Sequence, residues 1–109
     1  MEAALRAIAE PRRRDILRLV VNNERSAGEI ASHFDVTRPA ISQHLTVLKD
    51  AGLLAERRDG TRRLYRARPE GLVEVRAFLD EFWGEGLERL KTVAEQDQRR
   101  RDARDSKRR

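Results

Sequence analysis

Between Ser26 and Gly52 the chain is punctuated more tightly than anywhere else, and the punctuation fits one arrangement: a short helix, a turn of a few residues and a longer helix. Ser26-Ala27-Gly28-Glu29 has the spacing of a capping box. In that motif the serine hydroxyl accepts from the third helical N–H while the glutamate reaches back to the cap. Ile30, Ala31 and Phe34 give the short helix one apolar face. Asp35-Val36 predicts a tight turn, Thr37 a new cap, and Pro39 a first helical turn, where the missing N–H is tolerated. Ile41, Leu45 and Leu48 then recur at helical spacing to about Asp50, and Gly52 ends the helix as a C-terminal cap.

The flanking segments are simpler. Leu5, Ile8 and Ala9 line a first short helix, Glu10-Pro11 restarts the chain, and Ile16, Leu17, Val20 and Val21 line a second helix that Asn22-Asn23 stops. After Gly52 two short runs flank Asp59-Gly60, a strong hairpin signal, with Leu64 and Tyr65 on the returning strand. Arg68-Pro69-Glu70 predicts the start of a last helix. It carries Leu72, Val75, Phe78, Leu79, Phe82, Trp83, Leu87, Leu90 and Val93. Apolar residues nearly vanish from Gln96 onward, so residues 1–95 are expected to form one folded domain and residues 96–109 a disordered basic tail. The expected fold is mainly α with one β-hairpin.

Composition narrows the chemistry. With 109 residues and 39% hydrophobic content, a single small core is expected, and a partner subunit would support it. There is no cysteine, which removes disulfides, thiolate metal sites and thiol catalysis. No apolar run approaches a membrane span and no secretory signal is read, so a cytoplasmic chain without a membrane partner is expected. Charge is unevenly placed. Residues 11–68 carry 13 basic against 7 acidic residues, whereas residues 69–95 carry 3 basic against 7 acidic. A cationic middle followed by an anionic helix suggests a polyanion bound by the middle.

The outward face of the longer helix holds Arg38, Ser42, Gln43, Thr46 and Lys49, with Pro39 in its first turn and His44 next to that face, all candidates for contact with DNA. Arginine bonds guanine O6 and N7, glutamine bonds adenine N6 and N7, and hydroxyls serve bases or phosphates. The hairpin adds Arg57, Arg58, Arg62 and Arg63 around its tip, placed to meet the DNA backbone or minor groove. Arg12, Arg13 and Arg14 open the second helix, the unfavourable end for cations. His33 closes the short helix, where a cation complements the dipole, and His44 suits either a structural bond or a DNA contact.

The run Ile41-Ser42-Gln43-His44-Leu45-Thr46-Val47-Leu48-Lys49-Asp50-Ala51-Gly52-Leu53-Leu54, followed by Arg57-Arg58-Asp59-Gly60-Thr61-Arg62-Arg63-Leu64-Tyr65, closely resembles the ArsR-type winged helix-turn-helix regulators. Residues 5–17, Leu-Arg-Ala-Ile-Ala-Glu-Pro-Arg-Arg-Arg-Asp-Ile-Leu, fit the same family. The resemblance implies a homodimeric repressor of a palindromic operator, often its own promoter, closed by the first and last helices. In this chain those helices place Leu5, Ile8, Leu72, Val75, Leu79, Phe82, Trp83, Leu87 and Leu90 at the dimer interface. Metal-sensing members carry a thiolate pair, which would fall at Ser26 and Gly28, and histidines on the last helix, where none occurs after His44. The resemblance therefore points to metal-independent members with a Phe-Trp pair like Phe82-Trp83. No metal or cofactor is expected, and any small-molecule inducer is unread.

Enzyme readings fail on inventory, since there is no Gly-rich phosphate loop, nucleophile elbow or HExxH motif. Two other classes compete with the regulator reading. A protein-interaction or effector-sensing module would not need so well stocked a recognition face. A non-specific nucleoid or RNA binder would show no preference between operator and random duplex, and the few aromatic side chains for stacking disfavour RNA or single strands.

Overall fold

Two prolines and two left-handed glycines set the breaks between elements. The computed structural model describes the backbone of residues 1–107, and the side chains of all of these except Glu85, Leu87 and residues 105–107. Its elements are α1 (Glu2–Ala9), α2 (Pro11–Val20), β1 (Arg25–Ser26), α3 (Ala27–Ser32), α4 (Arg38–Asp50), β2 (Leu54–Asp59), β3 (Arg62–Ala67), a 3-10 turn (Pro69–Leu72) and α5 (Val73–Lys107). Met1–Val75 form one compact unit, and the helix from Arg76 on forms a second.

Glu10 is extended (φ −85°, ψ 121°) and Pro11 opens α2. The arginines that follow have a local use. Arg13 Nε donates to the Ala7 carbonyl at 2.6 Å and its Nη2 to the Arg6 carbonyl at 3.1 Å. Arg14 Nη1 donates to the carbonyls of Ile8 (2.7 Å) and Ala9 (3.1 Å). Cations that are misplaced at the start of α2 are thus well placed at the end of α1, whose last carbonyls lack helical partners. Arg12 lies over the Phe34 ring, 4.9 Å from its centre.

The core belongs to the first unit. Ile16, Val20, Ile30, Ile41, Leu45, Leu48 and Leu53 are fully buried, with Ala4, Ala7, Leu54, Tyr65 and Val75 around them. Each large aliphatic side chain contributes about 1.5–3 kcal/mol by burial. One whole face of α4 is spent in this way, so its register is fixed and its opposite face is committed to solvent. The capping box is present: Ser26 Oγ accepts from the Glu29 N–H at 3.2 Å, and Glu29 Oε1 accepts from the Ser26 N–H at 3.2 Å. Thr37 Oγ1 accepts from the Ala40 N–H at the start of α4. At its end Gly52 (φ +79°) adopts the left-handed conformation. The Leu53 N–H reaches the Leu48 carbonyl at 2.9 Å and the Gly52 N–H the Lys49 carbonyl at 3.0 Å, the bonds of a Schellman cap.

The hairpin forms with Asp59 opposite Arg62 and Gly60 in the left-handed region at the tip. Beyond expectation, β1 adds a third antiparallel strand, giving the order β1-β3-β2 with Arg25 opposite Tyr65. Two residues are too few for a period-2 pattern, and Ser26 is also the α3 cap.

Beyond expectation, α1 turns Ala4 and Ala7 into the core, because the small side chains let the helix lie close. Three expectations are corrected. Val75, expected on a dimer face, is buried in the unit's own core. The last helix is preceded by a 3-10 turn in which Gly71 lies against the Gly52 carbonyl. Finally, residues 96–107, expected as a disordered tail, continue α5. Good helix formers and pairs one turn apart support it there: Arg101 meets Asp97 at 2.8 Å, and Gln98 donates to Asp102 at 3.1 Å. Residues 108–109 lie outside the described residues.

Candidate nucleic-acid interface

With Ile41, Leu45 and Leu48 inside, α4 turns Arg38, Pro39, Ser42, Gln43, Thr46, Val47 and Lys49 outward. Ser42, Gln43, Thr46 and Val47 line one shallow groove along the helix. The Thr46 hydroxyl donates to the Ser42 carbonyl at 3.0 Å, which fixes its rotamer. The width of a helix face carrying these side chains matches a DNA major groove.

His44 departs from that row. It is half-buried, its Nδ1 lies 3.5 Å from Arg13 Nη1, and it faces the α1–α2 junction. Burial, then the neighbouring Arg13 charge, holds its pKa below the ordinary 6.5, so the ring is neutral at neutral pH. His33 Nδ1 lies 2.8 Å from the Glu29 carbonyl at the end of α3.

The hairpin's cations are held by carboxylates, a feature that the sequence reading missed. Arg57 makes a two-pronged pair with Glu24, at 2.7 and 2.8 Å. Arg62 pairs with Glu29 from the capping box. Glu56 is the least exposed partner, with its side chain 16% exposed, and it takes Lys49 of α4 at 2.9 Å and Arg63 of β3 at 3.5 Å. It therefore ties the helix to the hairpin. Arg58 stands opposite Arg63 in the ladder, and among the described residues neither Arg58 nor Arg38 makes an ion pair. These contacts leave their mark on titration. The Arg57 hydrogen bond lowers the pKa of Glu24, the Ser26 N–H lowers that of Glu29, and the Lys49 hydrogen bond lowers that of Glu56. Glu56 in turn raises Lys49, and Glu24 raises Arg57. The one signal for this in the sequence is the scatter of glutamates through a cationic stretch; the partners of Glu24 and Glu29 lie 33 positions away, beyond any local pattern.

The residues expected at a dimer face fall into three groups. Leu5 is exposed on α1, Ile8 is half-buried beside it, and Leu72 packs partly against the core that holds Val75. On α5, Leu79, Phe82, Trp83 and Leu90 are exposed, Phe82 by 64%. Phe82 stacks on Phe78 at 6.2 Å and meets the Trp83 ring edge-on at 5.5 Å. The side chain of Leu87 lies outside those described. α5 passes Gly84 and Gly86 as one helix, and the Trp83 ring lies 3.4 Å from where a Gly86 side chain would begin.

Where a metal-sensing thiolate pair would fall, the Ser26 hydroxyl is engaged as a helix cap and Gly28 has no side chain, so these residues do not fit a soft metal. Among the described residues, no three His, Asp or Glu side chains gather as metal ligands. No described helix is long and apolar enough to cross a membrane.

Comparison with known proteins agrees with this geometry. Residues 10–56 match the family model described as "Bacterial regulatory protein, arsR family". The chain is 43% identical over 86 residues to the HTH-type transcriptional regulator Rv2034 of Mycobacterium tuberculosis, covering 79% of this chain and 80% of that protein. A crystal structure described as "Possible transcriptional regulator for arsenical resistance" is 44% identical. It superposes with a TM-score of 0.69 over 83% of this chain and 94% of the other. The solution structure of the homodimeric winged helix-turn-helix DNA-binding domain of Mb0332 from Mycobacterium bovis is 32% identical, with a TM-score of 0.61 over 77% of this chain and 78% of the other.

Proposed function

The chain belongs to the ArsR family of bacterial regulatory proteins, and from that membership we propose that it is a homodimeric, metal-independent repressor that reads a palindromic operator with α4 and grips the flanking backbone with the β2–β3 wing. Members of the family are DNA-binding transcriptional regulators and not enzymes. The observation that carries the proposal is the division of α4. Ile41, Leu45 and Leu48 anchor one face, and Arg38, Ser42, Gln43 and Thr46 stand in a row on the other, beside a hairpin carrying five arginines.

Each group has a role set by its chemistry. Arg38 and Gln43 carry the donors that distinguish guanine and adenine edges, whereas Ser42 and Thr46 adapt to bases or phosphates. Arg57, Arg58, Arg62 and Arg63, with Lys49, supply charge to the backbone. His44 holds the start of α2 and positions α4 without reading a base. A dimer closed by Leu5 and Ile8 of α1 with Leu79, Phe82, Trp83, Leu87 and Leu90 of α5 would set two recognition helices about 34 Å apart, one helical turn of DNA. Occupying the promoter in this way excludes polymerase. An inducer, where one acts, would shift that dimer between arrangements. In this reading no soft metal is held at Ser26 and Gly28, whose chemistry does not fit one.

The test is to compare variants on operator and random duplex. Arg38→Ala and Gln43→Ala should each weaken operator binding by roughly 1–3 kcal/mol and relax base choice, while Arg62→Ala should weaken both duplexes alike and shallow the salt dependence. Equal losses on both duplexes for Arg38→Ala and Gln43→Ala would rule out base reading by α4.

A further inference from the structure

A second feature of the first unit is a cleft of about 380 Å³ where α3, the start of α4 and the wing converge, lined by Ser26, Gly28, Arg38, Ser42, Arg62 and Arg63 among others. We propose that this cleft is an oxyanion site, which seats one phosphate-type group between the guanidinium groups of Arg62 and Arg63, with the Arg38 Nη2 arm nearest Gly28 as a third donor while the rest of that fork stays available to a base edge. The inference rests on the regulator reading only for the source of the group and not for its chemistry.

Three observations carry it. First, the charged lining is of one sign and comes from two separate elements: Arg38 from α4, and Arg62 and Arg63 from β3. Planar guanidinium forks arranged around a polar cleft match a tetrahedral oxyanion, which accepts several N–H donors at once. The hydroxyls of Ser26, Ser42 and Thr61 line the same space and can each donate a further bond. Second, the anions that already meet this cation set are internal. The Glu29 carboxylate accepts from both Arg62 and the Ser26 N–H, and Glu56 pairs with Arg63, so an incoming phosphate oxygen would compete with carboxylates for two of the three arginines. Third, the floor is open by construction. A side chain begun at Gly28 would lie 3.8 Å from Arg38 Nη2 and 3.9 Å from Ser26 Oγ, so glycine leaves the space between these groups unfilled. Arg38 has no carboxylate partner among the described residues, and that leaves the cleft with cationic charge to spare.

An oxyanion seated there would draw Arg62 off Glu29 and tie the wing tip to the α3–α4 corner. A DNA backbone phosphodiester and a free phosphate ion share this chemistry, and two experiments separate them.

The first titrates the isotope-labelled full chain with inorganic phosphate against chloride at constant ionic strength and follows the Ser26 and Gly28 amides and the arginine Nε–H signals by NMR. Saturable shifts confined to these groups are expected. Gly28→Ala, which meets only ordinary contact distances, should keep them. Gly28→Asp leaves every arginine in place, suits the first turn of a helix, and puts a carboxylate beside Arg38, so it should weaken phosphate binding by about tenfold or more. Shifts that do not saturate, or equal phosphate binding in the alanine and aspartate variants, would overturn the site whatever the protein does on DNA.

The second experiment measures duplexes in which one backbone phosphate at a time is replaced by neutral methylphosphonate. If the group comes from DNA, one position should weaken wild type by roughly tenfold and leave Gly28→Asp unaffected, and phosphate should compete with duplex. If the group is free phosphate, no single position matters and phosphate binds the DNA complex as well. Loss of DNA binding altogether, with the phosphate shifts intact, would refute the regulator reading and leave the oxyanion site standing.

Discussion

Glu56 gives the sharpest handle on how charge is managed at this surface. It holds Lys49 at 2.9 Å and Arg63 at 3.5 Å, so one carboxylate restrains two cations from two elements of the proposed DNA-binding face. Glu56→Gln keeps the shape and an acceptor but removes the charge. Both cations can then turn to phosphate. Each added phosphate contact steepens the dependence of log K on log salt by about 0.9, equivalent to roughly eightfold in affinity at 0.1 M salt relative to 1 M. With one or two cations released, random duplex should bind roughly eight- to sixtyfold more tightly, with a slope steeper by about 0.9 to 1.8. Operator binding should gain less, because Glu56 also fixes the wing against the end of α4, and specificity should fall. Fluorescence anisotropy on both duplexes across four salt concentrations reads affinity and slope together. An unchanged slope, or weaker binding to random duplex, would show that Lys49 and Arg63 reach phosphate without leaving Glu56, and the reasoning would fail.

Other outcomes follow from particular contacts. Gly71→Ala would drive a methyl group onto the Gly52 carbonyl, within 2.9 Å of Leu53 Cδ2, and should destabilise the fold by about 1–3 kcal/mol in urea unfolding; a wild-type midpoint would show that the 3-10 turn shifts without cost. His44 is depressed below 6.5 in the fold, so the unfolded chain takes its proton more readily, and stability should drop as pH falls from 7 through 6.5 and below. His44→Gln should remove that part of the pH dependence in thermal melts between pH 7 and 5, and an identical profile would take the ring out of the balance. Phe82→Glu, at a side chain 64% exposed, should leave the helical circular dichroism intact while sedimentation shifts from dimer to monomer; an unshifted dimer would move the interface off this face of α5.

Much of this was legible in the sequence because short-range signals agree with the tertiary outcome. Ser26 with Glu29, Thr37, Pro39 and Gly52 fix the ends of α3 and α4 by local hydrogen bonding and backbone freedom, and Asp59-Gly60 fixes the hairpin. Ile41, Leu45 and Leu48 then determine which face of α4 is left exposed. What escaped depends on distant partners. The pairing of Glu24 with Arg57 and of Glu29 with Arg62 joins residues far apart in the chain. Arg13 and Arg14 looked out of place at one helix end because the helix end they serve is the neighbouring one. β1 exists only because β3 lies beside it. Val75 carries the same helical spacing as the exposed apolar residues after it, and only the fold separates core from surface. The helix through residue 107 escaped because few apolar residues mark it, its support there coming from ion pairs and propensity.

The most direct test of the central claim is the ratio of affinities for duplex from the region upstream of the protein's own gene and for random duplex, measured by anisotropy at two salt concentrations. A specific regulator should prefer upstream DNA by about a thousandfold or more, with the preference persisting at the higher salt. Equal binding to both, falling steeply with salt, would mean phosphate contacts alone and would contradict sequence reading by α4 on that DNA.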